Sequence, residues 1–293
     1  MRKALMTAGI ALTACALAVG MCACGSTAPA TGTGTGDNSS LTIFGTNQAG
    51  DQSFETVTFG TYEQDGNAAN GAEPIEWYVL DEKDGKVLLI SKYILDAVAY
   101  DDSFAGYPWY GIDHRPVSDT TWETSSLRAW LNGTFLTAAF SADEQGKIVA
   151  YTAEDSKNFG TITGEGAPEA AVHVVSATDK VFLLSVAEAR SLFINDAARV
   201  AEATAYAKAQ GVYVNSDRAS DQAAVGMSPW WTRTVGYYAG YAAVVMPDGY
   251  VHGDGYRMDG ESHDGFVHGE YTSDLGGNYG VRPCIWVDAA AVK

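Results

Sequence analysis

The chain has 293 residues, 36 of them acidic against 18 basic, and a formal net charge of −18. A surface that acidic repels phosphate backbones and anionic lipid, which argues against nucleic acid as a partner. Of its four cysteines, Cys15, Cys22 and Cys24 fall near the N-terminus. Cys284 therefore stands alone in the rest of the chain, where no intrachain disulfide is expected.

The first residues read as an export signal. Arg2 and Lys3 precede an apolar stretch containing Ile10, Leu12, Leu17 and Val19, too short to span a bilayer. Met21-Cys22-Ala23-Cys24-Gly25-Ser26 follows and resembles the lipobox of bacterial lipoproteins. That resemblance implies cleavage before a cysteine whose sulfur receives a diacylglyceryl group. Small Ala23 favours Cys24 as the lipid site, while Cys22, behind bulky Met21, is the alternative. Residues 1–23 are then the signal, and two acyl chains anchor the protein stably to the cell membrane, facing outside the cytoplasm. A plain secretory signal without lipid is the competing reading. Losing Arg2 and Lys3 takes the mature chain to about −20. Residues 24–52, which include Thr31-Gly32-Thr33-Gly34-Thr35-Gly36, have the Gly/Ser/Thr-rich composition of a flexible tether. Residues 53–293 show no second linker and read as a single globular domain outside the cytoplasm.

Glu76–Leu80 and Lys86–Ser91 flank Asp84-Gly85, the pattern of a tight β-hairpin. Thr120 and Glu123 have the spacing of a helix capping box, and Leu127, Trp130 and Leu131 mark one face of the helix that follows. Ser141 with Glu144, and Ser185 with Glu188, repeat the capping signal. Lys180–Leu184 reads as a buried strand. Ala197–Gln210 is Ala-rich and predicted helical, with Gly211 as its stop. Beyond Trp230 strands and glycine loops take over: Met246–Tyr250 is a turn, and Val281–Val287 is a closing strand. The fold class is therefore α+β, with helices in the first two-thirds and a β-rich, loop-rich C-terminal part.

Several landmarks occur together in order. They are Phe59-Gly60-Thr61-Tyr62, Ile75–Leu80, Trp122–Asn132, Asp179–Ala189, Trp230-Trp231-Thr232-Arg233 and Val281-Arg282-Pro283. This set resembles a bacterial family of exported proteins, domain of unknown function 6273, over about Val57 to Val287. Its ending is also similar to C-type-lectin-like and sulfatase-modifying folds, in which a loop-rich insertion between the last strands carries the site. The sulfatase-modifying relatives use paired cysteines, which a domain holding only Cys284 lacks. Trp77, Trp122, Trp130, Trp230, Trp231 and Trp286 are expected in the core. Arg128, Arg233 and Arg282 are expected to pair with carboxylates or to bond carbonyls; an anion or sugar-acid site formed by their convergence is the sharper alternative.

The segment Gly236–Gly280 is the candidate site. It holds eleven glycines, seven of the sixteen tyrosines, five aspartates and three of the five histidines, with Arg257 its one basic residue. Tyrosine supplies rigid contact area, while Gly, Asn and Asp supply adaptable loops, the composition of recognition surfaces. The candidate ligand-binding residues are Tyr237, Tyr238, Tyr250, His252, Asp254, Tyr256, Asp259, Asp264, Tyr271 and Asn278. No cofactor is indicated. Calcium or zinc has possible ligands in His252, His263, His268, Asp254, Asp259, Glu261 and Asp264, but no motif spacing supports either metal. Nucleophile-elbow, phosphate-loop and dinucleotide motifs are absent from the sequence. The resulting expectation is a lipid-anchored, non-catalytic domain that recognises carbohydrate, cell wall or a surface protein. The alternatives are a glycosidase-like envelope hydrolase using a carboxylate pair such as Asp101-Asp102, and a structural envelope protein.

Overall fold

Asp84 and Gly85 both take positive φ, 52° and 71°, the turn whose twist matches that of its flanking strands. They join β2 (Glu73–Lys83) to β3 (Lys86–Ser91) in the expected hairpin. The computed structural model describes residues 52–102, 120–155, 175–216, 224–236, 241–258 and 279–292. Cys24 and the tether as far as residue 51 lie outside them. Among the described residues no helix is long and apolar enough to cross a membrane.

β1 (Thr56–Tyr62) pairs with β2, and β13 (Cys284–Asp288) returns from the far end of the chain to pair with β3. β5 (Ile148–Val149) and β8 (Val181–Phe182) complete this antiparallel sheet beside β13. A second sheet has the order β11-β10-β9-β12-β4. Its strands are β4 (Asp96–Ala97), β9 (Trp230–Val235), β10 (Tyr241–Val245), β11 (Val251–Arg257) and β12 (Gly280–Val281). β6 (Tyr151–Asp155) and β7 (Val175–Asp179) form a separate pair.

Helical turns occupy the middle of the chain: α1 (Ser126–Trp130), a π-turn over Leu131–Phe135, α2 (Leu136–Ala139), α3 (Ala142–Gln145), α4 (Val186–Ser191) and α5 (Ala205–Ala209). The fold is thus mixed, with more strand than helix, and strands open it as well as close it. The boxes at Ser141/Glu144 and Ser185/Glu188 form as expected.

Four sequence expectations shift. The first box uses Thr121 and Thr124, because the Thr120 hydroxyl instead donates to the Asp101 carboxylate. The Ala197–Gln210 helix shrinks to α5. Its upstream half is drawn into a parallel bridge from Ala203 to Ile94, and Thr204 then caps α5. Gly211 does end it, with φ 95°, Gly211 N–H bonding Lys208 O and Val212 N–H bonding Ala207 O. Lys180–Leu184 narrows to β8, since the Leu183 and Leu184 carbonyls are taken by Arg233. Finally, Val281–Val287 is two strands in two sheets. Pro283 has no N–H to continue a ladder, so the chain changes sheet at Arg282-Pro283.

Trp77, Trp122, Trp230 and Trp231 are fully buried. At ~200 Å² each and ~25 cal/mol per Å², each contributes at most about 5 kcal/mol. Trp130 and Trp286 are only half-buried at the edge of the core, against Phe135 and Tyr151 respectively.

Candidate functional site

β10 and β11 are joined by the Met246–Tyr250 turn, closed by Met246 N–H to Tyr250 O and Gly249 N–H to Met246 O, both 2.8 Å. Gly249 has φ 84°, and a Cβ there would overlap the Asp196 carbonyl. Arg199 fastens the same contact: its Nε donates to Gly249 O at 2.8 Å, and its terminal nitrogen pairs with Asp196. Tyr250, 53% exposed, therefore stands on a fixed support.

Beyond the turn the β10–β11 register breaks. Val244 faces His252 and Ala242 faces Tyr256, so Gly253, Asp254 and Gly255 bulge opposite Ala243. Gly255, at φ 78°, donates its N–H to His252 Nδ1 at 3.1 Å. That bond requires an unprotonated Nδ1, which puts the neutral ring's proton on Nε2. Burial lowers the pKa of His252, against the pull of Asp254. A Cβ on Gly255 would overlap the Ala242 carbonyl, and one on Gly236 the Asp254 carbonyl, so the bulge is packed tightly on both sides.

From this bulge a line of rings runs inward. Ring centroids are 6.3 Å apart for Tyr250–His252, 5.0 Å for His252–Tyr256, 5.1 Å for Tyr256–Tyr279 and 4.7 Å for Tyr279–Trp231. Burial raises the pKa of Tyr256, with Asp248 adding to it; burial raises that of Tyr279 further, with the phenols of Tyr256 and Tyr241 adding to it. Both rings are neutral at physiological pH. The Tyr279 hydroxyl is buried and has no hydrogen-bond partner.

Of the ten ligand-binding residues expected from sequence, the structure brings together Tyr250, His252 and Tyr256 and places Asp254 in the bulge between the last two. Tyr237, Tyr238, Asp259, Asp264, Tyr271 and Asn278 lie outside the described residues. Tyr279 joins the group without having been singled out, although it sits in the Tyr-rich segment. Asp196 and Arg199, which hold the turn, carry no local signal at all.

The arginines take the blander of their two readings. Arg128 Nε meets Asp179 at 2.7 Å, and Arg233 meets Glu188 at 2.6 Å. Arg282 bonds the Ser91 and Arg199 carbonyls at 2.9 and 3.0 Å and lies over the Trp230 ring. Burial pushes its pKa down to about 10. Burial also raises the carboxyls of Asp96 and Asp179, but each is held by its own partners: Asp96 by Tyr62 and the Ala97 N–H, Asp179 by Trp122 and Arg128.

Among the described residues one group of acids has metal-like spacing. Glu63, Asp65 and Glu73 have ligand atoms within 4.8 Å of one another, where the loop after β1 meets the start of β2. Their oxygens accept the N–H groups of Gln64, Gly66 and Asn67, so backbone donors already satisfy the cluster.

Residues 84–289 match a family described as a domain of unknown function (DUF6273). The chain belongs to this family. The family match starts at the Asp84-Gly85 turn, so Phe59–Tyr62 and Ile75–Leu80 lie before it even though β1 and β2 are part of the same sheet as β3 and β13. It includes the whole ring line from Tyr250 to Tyr279, together with the Arg199 support. No curated protein matches the chain, and no solved structure matches it.

Proposed function

We propose that this member of the family is an exported surface lipoprotein whose folded domain recognises a ligand outside the cytoplasm: carbohydrate, cell-wall material or a surface protein. The observation that carries the reading is the line of rings from exposed Tyr250 through His252 and Tyr256 to Tyr279, mounted on a pinned turn and a packed bulge. Aromatic side chains on rigid elements give contact area at little entropic loss, which is what a recognition surface needs. The lipid anchor at Cys24 and the tether to residue 52 would stand this face off the membrane.

The ending Trp230-Trp231-Thr232-Arg233 and Val281-Arg282-Pro283 brackets the site segment, which supports a C-type-lectin-like relationship as part of the same proposal. Superposition of an experimental structure on such a domain would test that part.

The function is tested by probing glycan and surface-protein arrays with the exported chain and with Tyr250→Ala. Tyr250 is exposed, so the variant should keep its thermal midpoint and lose binding. Binding that survives Tyr250→Ala and removal of the His252 and Tyr256 rings would place recognition elsewhere. Labelling with a lipid precursor tests the anchor: label should disappear in Cys24→Ala, and label that persists there would move the site to Cys22.

A further inference from the structure

We propose that the phenols of Tyr256 and Tyr279 form the floor of this site and bind the hydroxyl groups of an uncharged saccharide unit. The inference rests on the recognition reading and gives it a ligand class.

The first observation is the Tyr279 hydroxyl. Tyr279 is 1% exposed, and its hydroxyl has no hydrogen-bond partner. An unsatisfied buried hydroxyl loses its water bonds without replacement, and a phenylalanine of nearly the same shape would avoid that loss. The hydroxyl therefore weakens the folded domain while leaving a donor and acceptor unused, which is how a group kept for a ligand behaves.

The second observation is its company. The Tyr256 ring lies 5.1 Å from the Tyr279 ring, centroid to centroid, so two phenols, from β11 and from the residue before β12, sit side by side. Each can donate or accept, which suits a polyol, whose hydroxyls also do both. The rings of Tyr256, His252 and Tyr250 lead outward from this group to exposed surface, and such rings cover the apolar face of a sugar ring.

Charge then selects among saccharides. Asp248 and Asp254 flank the ring line, and their fields reach Tyr256 and His252 respectively. Two cations whose side chains are described nearby are turned to the backbone: Arg190 donates to Val251 O, and Arg199 to Gly249 O while pairing with Asp196. A uronic, sialic or sulfated sugar would meet the Asp248 and Asp254 carboxylates, and among the described side chains no guanidinium is turned toward it, so the site favours an uncharged unit.

The test uses the full chain on an array of neutral hexose and N-acetylhexosamine oligosaccharides, with sialylated, sulfated and uronate glycans and surface proteins alongside. The wild type should hold neutral glycans over acidic ones. Tyr279→Phe should raise the thermal midpoint, because the orphaned hydroxyl is gone, and weaken neutral-glycan binding about tenfold, the equivalent of one lost ligand hydrogen bond. Tyr256→Phe, at a half-buried position, should weaken binding similarly and serves if Tyr279→Phe does not fold. Neutral-glycan binding unchanged in both variants would overturn the phenol floor and leave the recognition reading standing. Binding only to acidic glycans or only to proteins would overturn the ligand class and again leave that reading standing. A chain that binds no member of either array would overturn both.

Discussion

Glu188→Gln isolates one buried charge at the join between helix and sheet. Glu188 closes the capping box of α4 through the Ser185 N–H at 2.8 Å, accepts from the Tyr151 hydroxyl at 3.0 Å, and meets Arg233 Nη1 at 2.6 Å. Glutamine can keep the capping contact, so the change chiefly removes charge. The Arg233 side chain is fully buried on β9, and the variant takes this carboxylate away from it while leaving its bond to the Leu183 carbonyl in place. Removing one partner of a buried pair costs about 3–5 kcal/mol. The Glu188 side chain keeps 23% exposure, which places this pair near the lower end, about 3 kcal/mol. For a domain of this size that corresponds to a drop in thermal midpoint of about 6–12 °C.

Urea unfolding followed by circular dichroism measures the loss directly, and the slope should not change. The pH dependence supplies a second readout. Burial pushes the Glu188 carboxyl upward, but Arg233, Ser185 and Tyr151 outweigh it and leave its pKa below the ordinary value. Its stabilisation is therefore complete above the unfolded carboxyl's pKa and disappears as pH falls through the folded one. Glu188→Gln should lose that acid-side slope. Adding Arg233→Met should recover much of the stability, since no charge is then left buried. A Glu188→Gln protein within about 1 kcal/mol of wild type, with its acid slope intact, would refute the ion-pair argument.

Gly249→Ala should lower stability by about 2 kcal/mol or more, since φ 84° strains an L-residue and the new Cβ overlaps Asp196; urea unfolding measures it. His252 should titrate by NMR below its ordinary pKa. Its contribution to stability is full above about pH 6.5 and is lost as pH falls through the folded value, and His252→Asn, which keeps an acceptor for Gly255, should flatten that loss. Cys284 is fully buried, and burial pushes its thiol pKa up, so iodoacetamide should label it only at the rate of unfolding; fast labelling of the native protein would contradict its burial.

Local chemistry accounts for what the amino-acid sequence determined alone. The Asp84-Gly85 hairpin, the boxes at Ser141 and Ser185, the Gly211 stop and the Met246–Tyr250 turn all form where neighbouring residues call for them. Each depends on groups only a few positions apart, so periodicity and capping chemistry expose it. The capping box at Thr121 and the short α5 escaped that logic because distant partners decided them: Asp101 takes the Thr120 hydroxyl, and Ile94 draws Ala203 into a bridge. The candidate site divides in the same way. Composition marked Gly236–Gly280 and named Tyr250, His252 and Tyr256, because tyrosine and glycine enrichment is visible in a linear string. Tertiary structure alone set the bulge that brings His252 against Tyr256, the Asp196–Arg199 support under Gly249, and the unsatisfied hydroxyl of Tyr279. Those features depend on strand pairing and on contacts made in the folded chain, and a hydrogen bond that is missing can be recognised only once all the neighbours are in place.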